Sequence, residues 1–431
     1  EENIIEGLDW LGIKFDESSS VPLGSLKYRQ SERIQDGAYQ PFIDQLIASG
    51  SAYYCFETDE ELDQERKEAE EKGVPYMYSR KSLLLSKEVV KERLDKGDPY
   101  TIRFRVPDDE VIVMKDEIRG NIEFESKLIS DFIIVKSDGA PTYNLAVVID
   151  DHEMGITHVV RGEDHISNTP KQILIFNALS AQVPTFAHLP IILGEDRSKL
   201  SKRHGAKSVS EYRDDGYLPE ALINYLSLLG WSPPDEKEIL SIKELFELFD
   251  ISRINKAGAV FDTVKLTWMN KQYLANKSDQ EFLELAIPFV TGETITNDDQ
   301  LNQKILSVRD NIETLTRVNH YLEVYYLSNE DYQSKFKSLQ ITETDLNVMQ
   351  VLDRHINNFN SWDTEVVAQL IKTLMEELSL GKGKVMKPLR KAITGYESGP
   401  NLVDCLALFS LDTVKERVSL AKRYVNTTTS N

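Results

Sequence analysis

The spacing of the apolar residues changes at Ser232-Pro233-Pro234-Asp235, a segment whose two prolines are typical of a linker. Before it, short β-rich runs alternate with runs of helical spacing, which predicts a Rossmann-type parallel sheet with helices. After it, helical spacing dominates, and its clearest stripes predict core packing. These stripes are Ile305, Val308, Ile312, Leu315, Val318 and Leu322, then Val366, Val367, Leu370, Ile371, Leu374, Met375 and Leu378. Asp363 is the expected N-cap of the second stripe, and Gly381 the expected stop. The fold class is therefore predicted as an α/β Rossmann-type domain followed by an all-α half.

Several shorter elements are expected in the α/β part. Residues 28–50 predict one helix, and the alternating acids and bases of 58–72 predict a solvated helix with ion pairs. Between residues 100 and 139, short β-rich runs and turn signals predict an antiparallel α+β insertion within the Rossmann-type domain. The remaining expected elements are strands at 145–150, 156–160 and 189–193 and a helix near 168–180.

The composition excludes several classes of protein. The 431 residues carry 50 Lys and Arg against 71 Asp and Glu, a net charge of −21, which argues against nonspecific DNA binding. No run approaches the ~18 apolar residues of a membrane helix, so no membrane partner is expected. Two cysteines, Cys55 and Cys405, are too few for a disulfide framework and are typical of a reducing compartment. We therefore expect a cytoplasmic protein, and a monomer.

The strongest local signal is the basic segment Lys199-Leu200-Ser201-Lys202-Arg203-His204-Gly205. It follows a predicted strand that ends at Gly194, and open α/β sheets bind ligands at the carboxyl ends of their strands. Lysines on such a loop suit a polyphosphate whose charge shifts during a reaction. A solvated basic loop is the alternative. The chain contains no Walker motif GxxxxGK[ST].

Arg161 directly follows the predicted strand at 156–160 and so lies at the same edge of the sheet. An arginine there can bind a carboxylate through two parallel hydrogen bonds. The alternative is a buried ion pair with Glu163, Asp164 or Asp150. Tyr143 precedes the predicted strand at 145–150 and is expected near the same edge. A metal site is a weaker interpretation of the neighbouring side chains Asp150, Asp151, His152 and His165.

A basic island occurs in the helical half. Lys382, Lys384, Lys387, Arg390 and Lys391 lie within 381–395 without a single acid, although the chain is strongly acidic. Such an island predicts a nucleic-acid footprint. A solvated helix face is the alternative.

At this point several segments resemble one family. The segment KLSKRHG resembles the second signature motif of class I aminoacyl-tRNA synthetases, in the form seen in glutamyl-tRNA synthetase. Glutaminyl relatives match less well because their carboxyl half is a β-barrel, and tRNA-modifying paralogues lack the helical half. Five further segments are similar to this family in order: PTYNLAVVIDDHEMGITHVVRGEDHISNTPKQIL, FAHLPIILG, GYLPEALINYLSLLGW, KLTWMNKQYL and MKPLRKAITG.

The resemblance implies a glutamate–tRNA ligase. ATP, with Mg²⁺, and L-glutamate would form glutamyl-adenylate and pyrophosphate, and the terminal ribose hydroxyl of tRNA(Glu) would then attack. Tyr143 and Arg161 match positions that contact glutamate. The expected catalytic residues are Lys199, Ser201, Lys202 and Arg203. The expected ATP-binding residues are Lys199, Leu200 and Lys202, and the expected tRNA-binding residues are Lys384, Lys387 and Arg390. Whether tRNA(Gln) is also charged stays open.

The resemblance also implies a division of the chain. The expected parts are a first Rossmann half (1–52), an insertion that binds the tRNA acceptor end (53–138), a second Rossmann half with the KLSKR loop (139–235), a helical stem-contact region (236–300) and a helical anticodon-binding region (301–431).

Two departures from the family pattern accompany the match. The family opens with a strand and a His-Ile-Gly-His-like motif that binds ATP, so an N-terminal segment is expected to be missing here. Some members hold zinc through a Cys-x-Cys pair, whereas Cys55-Phe56-Glu57 offers one thiolate, so no zinc is expected. A non-catalytic tRNA-binding protein of this family is the alternative. A generic nucleotidyltransferase would leave the helical half unexplained.

Overall fold

The computed structural model describes residues 2–22, 24, 27–201, 203, 205 and 207–428. Its strands all lie in the first 190 residues and form two sheets. The strands are β1 (Ala52–Cys55), β2 (Thr101–Phe104), β3 (Val111–Asp116), β4 (Gly120–Glu125), β5 (Phe132–Val135), β6 (His158–Gly162) and β7 (Thr185–Leu189). The helices of this part are α1 (Glu2–Trp10), α2 (Gln30–Gln35), α3 (Gln40–Ala48), α4 (Asp59–Glu71), α5 (Lys87–Asp95), α6 (Tyr143–Glu153) and α7 (Thr169–Ala178).

The order of the strands within the two sheets differs from their order along the chain. The first is antiparallel, in the order β1-β2-β5, and the second has the order β4-β3-β7-β6. In the second sheet β6 and β7 are parallel over five pairs, whereas β3 meets β7 in parallel only at Asp116 and Phe186. The segment 53–138 therefore contributes to both sheets, since its β3–β4 hairpin extends the sheet that contains β6 and β7. The domain boundaries within the chain stay a prediction.

Three expected elements in this part are wrong. Residues 145–150 form part of helix α6 instead of a strand, with Leu145, Val148 and Ile149 fully buried. A short apolar run does not distinguish a buried strand from a buried helix, which explains the error. The expected strand at 189–193 is β7, which ends at Leu189. The expected helix over 28–50 is two helices, α2 and α3, separated at Gly37, whose φ is +70°.

Other local predictions are confirmed. Helix α4 covers the charged run, and Thr58 caps it in a reciprocal capping box with Glu61. Strand β6 covers most of the expected strand at 156–160, and helix α7 lies within 168–180. The hairpin of β3 and β4 turns at Gly120, whose φ is +80°.

The rest of the described chain is helical. Both apolar stripes lie in this part, and all six residues of the first are buried. Asp363 caps the helix Thr364–Leu378 as predicted, because its Oδ1 accepts a hydrogen bond from the backbone N–H of Val366 at 2.9 Å. That helix ends at Leu378, with Ser379 in the left-handed conformation, earlier than the expected stop at Gly381. The helices are α8 (Val209–Asp214), α9 (Pro219–Leu228), α10 (Ile242–Leu248), α11 (Thr263–Ala275), α12 (Asp279–Ala286), α13 (Glu293–Thr296), α14 (Leu301–Val308), α15 (Val318–Tyr326), α16 (Asn329–Lys337), α17 (Glu343–Ile356), α18 (Thr364–Leu378), α19 (Lys382–Thr394), α20 (Leu402–Ala407) and α21 (Leu411–Thr428). In the described part of the chain no helix is long and apolar enough to cross a membrane.

Close packing and hydrogen bonds connect residues 216–218, which follow α8, to residues 313–315 in the helical half. We call this contact the junction. The side chain of Asn270 is fully buried, accepts a hydrogen bond from the backbone N–H of Leu218 at 2.8 Å and donates one to the carbonyl of Glu313 at 2.6 Å. Gly216 has a φ of +82°, and a Cβ on it would lie 2.6 Å from the backbone nitrogen of Leu315. That nitrogen donates to the carbonyl of Gly216 at 3.0 Å, so the junction requires glycine at this position.

Candidate active site

Arg161 and His188 lie opposite each other near the carboxyl ends of β6 and β7. The Nε of Arg161 donates to Nε2 of His188 at 3.2 Å. Its Nη2 donates to the hydroxyl of Thr169 at 2.8 Å and to Oε1 of Gln172 at 2.7 Å, both on helix α7. The guanidinium is therefore held by three neutral acceptors.

The carboxylates considered as ion-pair partners of Arg161 are engaged elsewhere. Glu163 pairs with Arg119, and Asp164 pairs with Lys199 at 2.9 Å. Asp150 accepts from Arg33 at 2.8 Å. In the residues that the structure describes, no carboxylate forms an ion pair with Arg161, so the ion-pair interpretation is wrong.

The charge of Arg161 is partly removed from water. Burial lowers the pKa of its guanidinium, and the nearby Tyr143 and Asp151 partly offset this shift. Desolvating a charge without a counter-ion is costly, which favours the binding of an anion at this position. The site can thus bind a carboxylate through the Arg161 guanidinium.

Tyr143 is the first residue of α6, with 46% of its surface exposed. Its hydroxyl lies 3.3 Å from Nδ1 of His165, and its interaction with Arg161 raises the pKa of that guanidinium. The structure thus brings together the two residues expected to bind glutamate. That they bind it stays a prediction.

Asp150 and Glu153 of α6 form ion pairs and hydrogen bonds with protein groups. Asp150 accepts hydrogen bonds from Gln30 and Tyr39, both at 2.8 Å, in addition to Arg33. Among the described side chains, no group of three or more His, Cys, Asp and Glu is placed to hold a metal ion. Burial, and next the charge of Asp150, raise the pKa of Asp151 to about 6.

The raised pKa of Asp151 makes stability depend on pH. The folded protein binds this proton more tightly than the unfolded chain does, so the free energy of unfolding falls as the pH rises from about 4 to about 6. We expect Asp151→Asn to stabilise the protein at pH 8 by about 1 kcal/mol, after allowance for solvent screening, and by less at pH 5. Urea unfolding at both pH values measures this, with the exposed Asp16→Asn as control. An equal effect at both pH values would contradict it.

The KLSKR loop lies at the same edge of the sheet. Lys199, with 66% of its side chain exposed, pairs with Asp164, and this pairing lowers the pKa of that carboxyl. The backbone N–H of Leu200 donates to the carbonyl of Ile192 at 2.9 Å. Ser201 is half-buried and Arg203 is exposed. Lys202, the residue expected to matter most for ATP, lies outside the described residues.

The cations of the basic island differ in their exposure to solvent. Lys382, Lys384 and Lys387 are exposed on α19, whereas Lys391 is buried and pairs with Asp345 at 3.2 Å and with Glu397. Lys391 is therefore structural, and the interpretation of all five cations as one surface is wrong.

Arg390 lies apart from the exposed lysines. Its Nη2 donates to the carbonyl of Pro400 at 2.6 Å, and burial lowers the pKa of its guanidinium. It lines a cavity of about 150 Å³ together with His320, Tyr321, Tyr396 and other residues. Arg390 is thus placed to contact a group that enters this cavity, and not to act as a freely solvated cation.

The polar cluster around Cys55 does not suit zinc. The Cys55 thiol donates to Glu57 at 2.9 Å and accepts from Nε of Arg103 at 3.2 Å. Glu57 also accepts from the hydroxyls of Tyr78, at 2.9 Å, and Ser82, at 2.8 Å. Although burial works in the opposite direction, these hydrogen bonds hold the pKa of Glu57 below its ordinary value. One thiol beside a guanidinium is a poor donor set for a cation.

Four residues of the site were missed from the sequence. They are His188 and Thr169 and Gln172, which bind Arg161, and Asp116, which binds His188. The sequence places His188 near the end of a strand, as it does Arg161. The contact between the two residues could be predicted only with the knowledge that β6 pairs with β7.

Family models match almost the whole chain. The model described as "tRNA synthetases class I (E and Q), catalytic domain" matches residues 1–268, and the "Anticodon binding domain" model matches residues 281–422. The chain belongs to the class I tRNA synthetases (E and Q). The resemblance stated from its motifs is confirmed.

Individual members of this family are similar over nearly their full length. The glutamate–tRNA ligase of Carboxydothermus hydrogenoformans is 42% identical over 97% of this chain and 88% of that protein. The glutamate–tRNA ligase of Aquifex aeolicus is 44% identical over 97% of this chain and 87% of its own length. A crystal structure of a glutamate tRNA ligase from Elizabethkingia meningosepticum, in complex with its amino acid, has a TM-score of 0.85 at 34% identity and covers 98% of this chain and 89% of its own.

Within the class I tRNA synthetases (E and Q), the helical half distinguishes the two branches. The described residues from 263 to 428 contain helices and no strand. This agrees with the expected likeness to glutamyl enzymes, and not with the β-barrel expected of glutaminyl ones. The predicted fold class, a Rossmann-type α/β part with a helical anticodon-binding half, is confirmed.

Proposed function

We propose that this chain is a glutamate–tRNA ligase in which Arg161 binds a carboxylate of glutamate. The observation that carries the role of Arg161 is its partly desolvated guanidinium, held by three neutral acceptors and without an ion-pair partner in the described residues. Tyr143 lies beside it at the same edge of the sheet. The identity of 42–44% to glutamate–tRNA ligases supports glutamate as the amino acid.

In this proposal the reaction needs no protein nucleophile. A carboxylate oxygen of glutamate attacks the α-phosphorus of ATP, the bond between that phosphorus and the bridging oxygen breaks, and pyrophosphate leaves. A terminal ribose hydroxyl of tRNA(Glu) then attacks the carbonyl carbon, and AMP leaves. The protein contributes by positioning the reactants and by stabilising charge.

The KLSKR loop is the proposed site of the ATP phosphates, with Mg²⁺ bound as part of the substrate complex. Lys199, Leu200 and Lys202 would contact ATP, with the two lysines facing the phosphates, while Ser201 and Arg203 would shape the loop. The support is the position of Lys199 beside Asp164, three residues after Arg161. A monomer in the cytoplasm, without zinc, completes the proposal.

Aminoacylation of tRNA tests the activity directly. With ATP, labelled glutamate and tRNA, the full-length protein is expected to give glutamyl-tRNA and to release AMP and pyrophosphate. Glutamine serves as the competing amino acid. If the protein binds tRNA but transfers no amino acid, the non-catalytic alternative is correct.

The exposed lysines of α19 are the proposed contacts to tRNA phosphates. Each phosphate contact releases counterions, so binding weakens with salt despite the net charge of −21. We expect the double substitution Lys384→Gln with Lys387→Gln to reduce the slope of log affinity against log salt by about 1–2. Filter binding from low to high salt measures it.

The matched control removes two exposed lysines outside the parts of the chain expected to bind tRNA, Lys14→Gln with Lys27→Gln. This variant has the same net charge as the test variant. An equal slope change in both would show that total charge, and not the α19 surface, governs binding. Arg390→Gln is expected to weaken tRNA binding at every salt concentration. The reason is that Arg390 is placed to contact a tRNA group that enters its cavity, and not to act as a freely solvated cation.

A further inference from the structure

We propose that His188, held by Asp116, is a positioning residue that fixes the guanidinium of Arg161 without neutralising it. This inference rests on the proposed binding of a glutamate carboxylate by Arg161. It adds two residues from outside the KLSKR loop, on strands β3 and β7, to the set that determines glutamate affinity.

Asp116 anchors His188 at the junction of β3 and β7. His188 is fully buried and Asp116 is 5% exposed. Oδ2 of Asp116 lies 2.6 Å from Nδ1 of His188 and accepts from its backbone N–H at 3.1 Å. Oδ1 accepts from the backbone N–H groups of Ile118, at 3.0 Å, and Arg119, at 2.8 Å. Both carboxylate oxygens therefore have fixed donors, and the ring plane of His188 is held.

The chemistry of arginine assigns the proton of His188. A guanidinium has donors only, so Nε2 of His188 must accept the hydrogen bond from Nε of Arg161. The proton then lies on Nδ1, where it points at the Asp116 carboxylate. Burial, opposed by Asp116, lowers the pKa of His188 and supports an uncharged ring.

A neutral imidazole is well suited to this position. It supplies an acceptor that fixes the direction of the guanidinium, while Thr169 and Gln172 fix Nη2. A carboxylate in direct contact with Arg161 would instead compete with the substrate carboxylate for the same charge. With the imidazole between them, Asp116 orients Arg161 without forming an ion pair with it. Three of the five N–H donors of the guanidinium are used in these contacts, and the two donors of Nη1 remain in a fixed position for the substrate carboxylate.

The competing interpretation is a structural one, in which the Asp116–His188 pair only connects β3 to β7. Two substitutions of His188 separate the two roles, because asparagine and glutamine imitate different ring nitrogens. Asparagine can place a donor near Nδ1 and keep the contact with Asp116, but it is too short to reach Arg161. Glutamine can place an acceptor near Nε2 and so retain the contact with Arg161.

The test measures the KM for glutamate and the KM for ATP by pyrophosphate exchange in the presence of tRNA. We expect His188→Asn to raise the KM for glutamate about 10- to 100-fold with little change in the KM for ATP, since a hydrogen bond to a charged group is lost. His188→Gln is expected to recover most of the affinity for glutamate. His158→Asn, at the exposed start of β6, is the matched control.

Each other outcome overturns the inference. If the pair is only structural, His188→Asn will behave like the unmodified enzyme and His188→Gln will be the worse variant. Equal rises in the KM for glutamate and for ATP would show a general disturbance of the sheet. Loss of cooperative unfolding in both variants would place the pair in the fold and not in the glutamate site.

A double substitution separates this inference from the proposed function. If His188 acts through Arg161, His188→Asn will add little to the effect of Arg161→Lys, whereas independent effects would multiply. If Arg161→Lys alone leaves the KM for glutamate unchanged, the proposed role of Arg161 itself is wrong. If Arg161→Lys is impaired but His188→Asn is not, only the role of His188 is wrong.

Discussion

Arg161→Lys is expected to lower kcat/KM for glutamate about 100-fold. Lysine keeps the charge but lacks the planar guanidinium that directs the two Nη1 donors of Arg161 towards a carboxylate. It also cannot contact His188, Thr169 and Gln172 at once, so the acceptors that now fix the guanidinium lose partners. Pyrophosphate exchange at varied glutamate and fixed ATP gives the value.

The control for this substitution is Arg66→Lys, an exposed arginine of α4 that pairs with Asp63 at 2.6 Å. It makes the same chemical change away from the sheet edge and is expected to leave glutamate kinetics unchanged. Normal kinetics in Arg161→Lys would mean that neutral acceptors surround Arg161 for stability alone. The carboxylate of glutamate would then bind elsewhere.

Lys202→Ala is expected to slow glutamyl-adenylate formation by on the order of 10²–10³, because a charge-stabilising donor is lost as negative charge builds on the leaving pyrophosphate. Lys199→Ala is expected to have a smaller effect, since Lys199 already pairs with Asp164 and is largely exposed. Rapid-quench measurement of the first turnover, with tRNA present, isolates this step from product release.

A lysine near the same loop provides the comparison. Lys207 pairs with Asp215 and precedes helix α8, so Lys207→Ala changes the charge of this region without touching the proposed phosphate contacts. Equal rates in Lys202→Ala and in the unmodified enzyme would remove Lys202 from the reaction. Equal losses in Lys202→Ala and Lys207→Ala would indicate a general effect of positive charge on ATP binding.

Predictions from the sequence succeeded where local interactions decide the structure. Asp363 caps α18 through a contact with Val366 three residues away, as predicted, and the predicted charged helix is α4, which the structure shows to begin at a capping box of Thr58 and Glu61. Such contacts are encoded within one turn of helix. In contrast, the helix at 145–150 is buried against α7 and β5, and its apolar run carries no periodicity that distinguishes it from a strand.

In the candidate site, too, local features were predicted and contacts between distant segments were not. Arg161 was predicted because a strand end marks the ligand edge of an α/β sheet. Its contact with His188 joins residues 27 positions apart and depends on the register of β6 with β7. The contact of His188 with Asp116 joins residues 72 positions apart, in a hairpin assigned to a separate insertion. Likewise, only the packing of α19 against α17 shows that Lys391 is buried while Lys387 is exposed.

The junction at Gly216 and Asn270 limits how this enzyme can be recombined with its relatives. Leu218, Asn270 and Glu313 are connected by hydrogen bonds through one buried amide, and Gly216 has no space for a side chain against Leu315. A chimera that joins the first 230 residues of this chain to the anticodon-binding helices of another would have to match these positions as a set. The useful crossover points therefore lie on either side of the junction, in segments whose backbone does not cross it. For protein engineering, residues 216 to 316 are best exchanged together, as one segment.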